Sequence, residues 1–193
     1  MSKQLITILA LIFLIVSVSA QKKAEPDKAE NTGIIYGNNH SYKLTAPKDW
    51  LLDNKSGVSQ GLHAVFYPQD SSWRDGIAVM YTNVSQKMNK AESAKETIER
   101  DIANFKKGSP KLKVEDAKSI KLTKDKSATI KYFSNDENGN YEAIAYIDEA
   151  KVVVMIVLTS KTKKDFDASL VAFQELVGSY FFLTDKVNKE ATR

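Results

Sequence analysis

The chain has 193 residues, a net charge of +4 and no cysteine, and 42% of its residues are hydrophobic. This length is enough for one domain with a substantial core. The absence of cysteine excludes disulfides, thiolate metal sites and a lipidated cysteine anchor, so the core alone must stabilise the fold.

The first twenty residues have the pattern of a secretory signal. A short segment with one positive charge, Lys3, precedes an apolar run over residues 5–16 and small residues up to Ala20. Twelve apolar residues span only about 18 Å as a helix, which is short of a bilayer core of about 30 Å. We therefore expect cleavage after Ala20 and a secreted or periplasmic protein without a stable membrane anchor, the alternative being an uncleaved anchor.

The rest of the chain divides into a linker, one domain and a tail. Residues 21–33 contain no large apolar side chain and are predicted to form a flexible linker. The domain is expected over residues 34–183, and residues 184–193 form a polar tail.

Hydrophobic patterns within the domain predict eight strands and two helices. The strands are expected at residues 34–36, 41–46, 62–67, 77–83, 112–122, 127–133, 141–147 and 152–158. The run at 152–158 is wholly apolar, which places it at the centre of a sheet with both faces covered.

The first helix carries the apolar stripe Ala94, Ile98, Ile102 and Phe105, and the pair Asn89 and Glu92 is predicted to cap it. The second helix is predicted to begin after Thr162, which can cap it. Short connections between strands favour antiparallel pairing. The expected class is α+β: a largely antiparallel sheet covered by helices on both faces, an α/β/α sandwich.

Near the start of the domain, Tyr42 and Leu44 alternate along a strand that must end at Pro47 or lie on a sheet edge, and Trp50 follows. We expect Trp50 to close one end of the core. This pattern, together with the order of the elements, resembles the PsbP-like domains. The resemblance implies an α/β/α sandwich whose known members act mainly by binding or assembling with other proteins, and it transfers no functional residue.

The loop over residues 67–76, YPQDSSWRDG, brings together Tyr67, Trp73 and Arg74. These residue types dominate binding hot spots, and function is concentrated on loops. We therefore name these three residues as candidate contacts with a partner. The alternative is that Trp73 packs back onto the sheet.

Eight lysines and three acidic residues between positions 106 and 126 give that window a net charge of +5. Such segregated charge could contact an anionic surface, or it could protect edge strands from unwanted pairing. The lysines of this possible basic patch are Lys106, Lys107, Lys111, Lys113, Lys118, Lys121, Lys124 and Lys126.

Signals for catalysis are lacking. His40 and His63 show no zinc-binding spacing; we expect His40 to be solvated and His63 half-buried. No phosphate-binding loop occurs, and the one S-x-x-K spacing, from Ser160 to Lys163, lacks the S-D-N and K-T-G motifs that accompany it in enzymes. We therefore predict no catalytic residue, cofactor or metal. The leading hypothesis is an exported, non-enzymatic binding or assembly protein of the cell envelope, with a protein partner of unknown identity and no nucleic acid. The alternatives are a hydrolase using carboxylates in a cleft, and an anionic-surface binder using the lysine window; the oligomeric state stays open.

Overall fold

Alternating apolar residues fold this chain into two antiparallel sheets and two α-helices. The computed structural model describes residues 31–89, 91–123 and 125–187. The predicted signal (1–20) and most of the predicted linker (21–33) lie outside these residues, as does the end of the tail.

Ten strands and two α-helices occur in the described part of the chain. Before the first helix lie β1 (Thr32–Gly37), β2 (His40–Thr45), β3 (Trp50–Asp53), β4 (Val65–Pro68) and β5 (Ala78–Gln86). Then follow α1 (Ala94–Gly108), β6 (Lys113–Thr123), β7 (Lys126–Ser134), β8 (Tyr141–Asp148), β9 (Val152–Ser160), α2 (Lys163–Gly178) and β10 (Phe181–Thr184).

Seven strands form a large sheet in the order β3-β4-β5-β9-β8-β7-β6, and a small sheet has the order β1-β2-β10. Every neighbouring pair is antiparallel. This confirms the α+β class and the antiparallel pairing, but the expectation of a single sheet was wrong. Strands β3 and β10 have only four residues each, too few to reveal themselves by alternation.

The apolar strand β9 lies at the middle of the large sheet, between β5 and β8, as predicted. Its residues alternate between two hydrophobic clusters. Val152, Val154, Ile156 and Leu158 belong to the larger cluster, and Val153 and Val157 belong to the smaller one. Buried residues of α2 are part of the larger cluster, whereas those of α1 are part of the smaller one.

The first helix begins later than predicted. Ser93 is its N-cap, and Ser93 with Glu96 forms a reciprocal capping box. Asn89 instead holds the preceding turn, since its side-chain oxygen accepts the backbone N–H groups of Ala91 and Glu92. For α2 the prediction is confirmed: Thr162 is the N-cap, and its side chain accepts the N–H of Asp165.

The segment around Pro47 carries the chain from the small sheet to the large one. Strand β2 ends at Thr45, Asp49 adopts a φ of 63°, and the N–H of Trp50 donates to the carbonyl of Pro47 at 3.1 Å. Trp50 then begins β3, and its side chain is buried in the larger cluster. The proline therefore ends one strand as expected, but Trp50 opens a new strand as well as filling the core.

A buried polar group ties the end of α2 to the large sheet. Glu149, in the turn between β8 and β9, accepts a hydrogen bond from the hydroxyl of Tyr180 at 3.0 Å. The ammonium group of Lys126 lies 2.6 Å from the other carboxylate oxygen. Because Glu149 and Tyr180 are both buried, this hydrogen bond satisfies polar groups that have little access to water.

Replacing Tyr180 with phenylalanine should therefore destabilise the domain. The buried carboxylate of Glu149 would lose the hydrogen bond from the Tyr180 hydroxyl, and we expect the free energy of unfolding to fall by about 1–3 kcal/mol. Urea denaturation measures this. The matched control is Tyr36→Phe, because Tyr36 is exposed on β1 and should lose almost nothing. Equal effects of the two variants would contradict this role for Tyr180.

Candidate functional site

The loop that follows β4 borders a cleft of about 520 Å³. Trp50, Pro68 and Ile77 contribute its apolar wall, and α2 contributes Ala168, Ser169 and Ala172. The three residues predicted to contact a partner do not converge in it, because none of Tyr67, Trp73 and Arg74 lines the cleft.

Tyr67 serves the structure of the loop. Its hydroxyl donates to a carboxylate oxygen of Asp53 at 2.9 Å, which joins β4 to the end of β3. The same carboxylate accepts the N–H groups of Lys55 and Ser56 and the hydroxyl of Ser56. Burial alone would raise the pKa of Asp53, but these hydrogen bonds outweigh it and lower the pKa to about 2.

Trp73 and Arg74 differ in exposure. Trp73 is half-buried and meets the ring of Tyr81 edge-on, with the ring centroids 6.1 Å apart. Arg74 is exposed. Trp73 thus packs partly onto β5 while keeping surface available for contact.

Three carboxylates line the cleft, which is where the hydrolase alternative would need them. Asp75 accepts a hydrogen bond from the hydroxyl of Ser72 at 2.8 Å, and Asp165 takes part in the capping of α2. Asp70 is exposed. Two of the three are thus used by local structure, and the cleft lining contains no histidine that could act with them.

The lysine window lies at one edge of the large sheet. Lys113, Lys118 and Lys121 are exposed on the edge strand β6, which supports the protective role of lysine there. Lys106 and Lys107 lie in the last turn of α1, Lys111 follows that helix, and Lys126 is paired with Glu149. Lys124 lies outside the described residues.

The predictions for both histidines were wrong, since His40 was expected to be solvated and His63 half-buried. His40 is buried and His63 is exposed, and both line a small pocket of about 130 Å³ between the start of β2 and the end of β5. In the described ranges, no three His, Asp or Glu side chains are grouped to hold a metal ion.

A surface that sequence reasoning missed lies on the outer face of the small sheet. Ile34, Tyr36, Phe181 and Leu183 are each 43–60% exposed, and we call them, with Lys43, the outer face. Lys43 of β2 pairs in register with Ile34 of β1 on one side and Phe181 of β10 on the other. Four of the nine exposed large hydrophobic side chains in the described residues lie here.

The signal for this face was present in the sequence. Strand β1 has apolar residues at 34, 35 and 36, and residues 181–183 read Phe-Phe-Leu, so both faces of these short strands are apolar. Without the pairing of β1, β2 and β10, these residues could not be assigned to one surface.

Comparison with solved structures shows that the fold is PsbP-like. The chain is similar to the cyanobacterial PsbP protein CyanoP from Synechocystis, with a TM-score of 0.50 and 11% identity over 82% of this chain and 96% of that one. It is also similar to LpqN of Mycobacterium tuberculosis, with a TM-score of 0.52 and 13% identity over 78% of this chain and 90% of that one. No family profile matches the chain. No curated protein matches its sequence.

No helix in the described parts of the chain is both long and apolar enough to cross a membrane.

The two tryptophans should differ in their contribution to stability. Trp50→Ala empties a site in the larger cluster and should lower the free energy of unfolding by about 3–5 kcal/mol. Trp73→Ala removes a half-exposed ring and its edge contact with Tyr81, for which we expect about 1 kcal/mol. Thermal melts of the two variants side by side give the comparison, and equal losses would mean that Trp73 belongs to the core.

The carboxylate of Asp53 should make the domain sensitive to acid. Its pKa in the folded protein is about 2, against about 3.9 in an unfolded chain. The stabilisation is therefore fully present above about pH 4 and is lost as the pH falls toward 2. Because Asp53 is only partly buried, we expect about 1 kcal/mol.

Urea unfolding of Asp53→Asn across pH 2–5 tests this. The variant should have a flatter dependence of stability on pH than the wild type. Asp70→Asn is the control, since Asp70 is exposed in the neighbouring loop and should keep the wild-type dependence. An unchanged dependence in Asp53→Asn would rule out this contribution.

Proposed function

We propose that this chain is an exported, non-enzymatic binding protein of the cell envelope that docks a protein partner on the outer face of its small sheet. The observation that carries the proposal is the grouping of Ile34, Tyr36, Phe181 and Leu183 around Lys43. Contiguous exposed apolar surface is uncommon on monomeric soluble proteins and marks interaction sites.

The composition of the outer face supports a protein partner. It combines two aromatic rings with two aliphatic side chains, and aromatic residues are enriched at the centres of protein interfaces. Among the described strands, β1 is the outermost of its sheet, so the backbone groups on its outer edge pair with no described strand and lie beside the apolar patch.

Lys43 indicates the charge of the partner. Its ammonium group lies 5.7 Å from the centroid of the Phe181 ring and forms no ion pair with a described residue. A positive charge amid apolar side chains is best matched by one carboxylate surrounded by apolar residues. We infer a partner surface of that chemistry.

The scaffold that presents this face is, in our interpretation, an α/β/α sandwich. The alternation of β9 between two clusters supports it, because α2 contributes to one cluster and α1 to the other. Successive side chains of a strand point to opposite faces of the sheet, so the two helices are assigned to opposite faces.

Export to the envelope is proposed from the leader pattern at residues 1–20. LpqN, which shares the fold, is involved in cell envelope biogenesis. Both points support a location outside the cytoplasm.

The other surfaces take secondary roles in this proposal. Trp73 and Arg74 could extend the contact on a different side, whereas the lysine window is assigned to protection of the β6 edge. The hydrolase alternative receives less support, since Asp75 and Asp165 in the cleft are engaged by Ser72 and by the cap of α2.

Photo-crosslinking in the producing cells tests the docking face. A photoreactive amino acid at position 181 should give one crosslinked product with a different protein, and Lys43→Glu should reduce its yield at least tenfold. The matched control is position 171, because Val171 is an equally exposed apolar residue on α2 and should give no such product. A product at twice the monomer mass would show a second copy instead. Crosslinks only to lipid, or the same product from both positions, would overturn the proposal.

A further inference from the structure

A small pocket beneath the turn between β1 and β2 is lined by residues whose buried polar atoms lack a hydrogen-bond partner among the described residues. Its walls include His40, Tyr42 and Thr82, with His63 and Gln86 also lining it. His40 Nε2, the Tyr42 hydroxyl and the Thr82 hydroxyl are shielded from solvent, and none of them has a hydrogen bond of good geometry to a described residue. The two hydroxyls are near enough to each other for Thr82 to oppose the rise in the pKa of Tyr42. Most buried polar groups are hydrogen-bonded, so three such atoms around one pocket require an explanation.

The orientation of the His40 ring leaves Nε2 as an acceptor. Its other nitrogen, Nδ1, lies 2.9 Å from the carbonyl oxygen of Asn38 and must donate to it, because a carbonyl can only accept. Burial lowers the pKa of His40, the Asn38 carbonyl opposes that change, and nearby His63 adds to it. The neutral ring therefore carries a lone pair on Nε2.

Close packing keeps the ring in this position. A side chain at Gly37 would bring a Cβ within 2.7 Å of Cε1 and 2.9 Å of Nε2 of His40. On the other side, the ring centroid lies 5.8 Å from that of Tyr42. The ring is thus held in the wall of the pocket, and burial keeps Tyr42 protonated by raising its pKa to about 12, against the opposing effect of the Thr82 hydroxyl.

The pocket excludes ions by its chemistry. None of the residues lining it is an acid, a lysine or an arginine, so a buried ion would lose its hydration without gaining an opposite charge. The available groups are one acceptor and two hydroxyls that can both donate and accept. A ligand group that is itself both donor and acceptor satisfies all three.

We propose that this pocket binds a small uncharged ligand through a hydroxyl or primary amide group, which contacts His40 Nε2, Tyr42 and Thr82. The volume of about 130 Å³ is small and admits a molecule of a few heavy atoms or the end of a larger one. Because the three atoms have almost no accessible surface, a ligand can contact them only when side chains that line the pocket move. His63 and Gln86 are among the exposed residues of that lining. The site is separate from the outer face, which Lys43 presents on the opposite side of β2.

The test uses the chain with its histidines labelled with ¹⁵N, at a pH where His40 is neutral, and two probes: glycerol for hydroxyl ligands and acetamide for amides. At least one probe should shift the His40 Nε2 resonance saturably and raise the melting temperature, because binding to the folded state stabilises it. Thr82→Val should weaken this binding about three- to tenfold, the effect of one lost hydrogen bond. Thr129→Val, an exposed position on β7, should leave it unchanged.

Ligand-free melting distinguishes a binding site from a purely structural one. If the hydroxyl of Thr82 is kept for a ligand, Thr82→Val removes an unsatisfied polar group and should leave the melting temperature unchanged or raise it. No response of His40 to either probe would overturn the proposal, whatever the melting temperature of Thr82→Val, as would equal probe binding by Thr82→Val and the wild type. None of these outcomes depends on the outer face. Failure of this test would therefore leave the docking proposal standing, and failure of the crosslinking test would leave the pocket proposal standing.

Discussion

The central strand β9 is the constraint on which the rest of the structure depends. Val152 to Leu158 contains no polar residue, so neither face of the strand can be left in water. Burying both faces requires a neighbouring strand on each side and a hydrophobic layer above and below. Strands β5 and β8 supply the pairing, and the two hydrophobic clusters receive alternate residues of β9.

The small sheet depends on α2 for its position. The hydroxyl of Ser179, just after the helix, accepts the N–H of Thr45 at 3.0 Å and donates to the carbonyl of Leu176 at 2.7 Å, which joins β2 to the end of α2. The chain then continues at once into β10, which pairs with β2. Inward residues Tyr42 and Leu44 join the larger cluster, whereas Lys43 between them points outward. One period-two strand thus serves both the core and the surface.

The candidate binding surfaces are separated because the large sheet buries its apolar side chains in the core. Its outer strand β6 alternates half-buried apolar residues with exposed charged or polar ones, so it offers little apolar contact area. The small sheet lacks a helix over its outer face in the described residues, and its apolar residues there stay accessible. Because other residues form the core, the outer face of the small sheet can be used for binding.

The sequence by itself determined the elements with a long, regular pattern. The periodicity of α1, the cap of α2 at Thr162 and the apolar run of β9 are local properties, so the class and the central strand could be predicted directly from the sequence. The tertiary structure alone decided which short strands pair, since four residues such as those of β3 and β10 carry too little pattern. It also decided that His40 is buried, that Trp50 begins a strand and that Ile34 and Phe181 share one surface. These are contacts between residues far apart in the chain, and no local pattern encodes them.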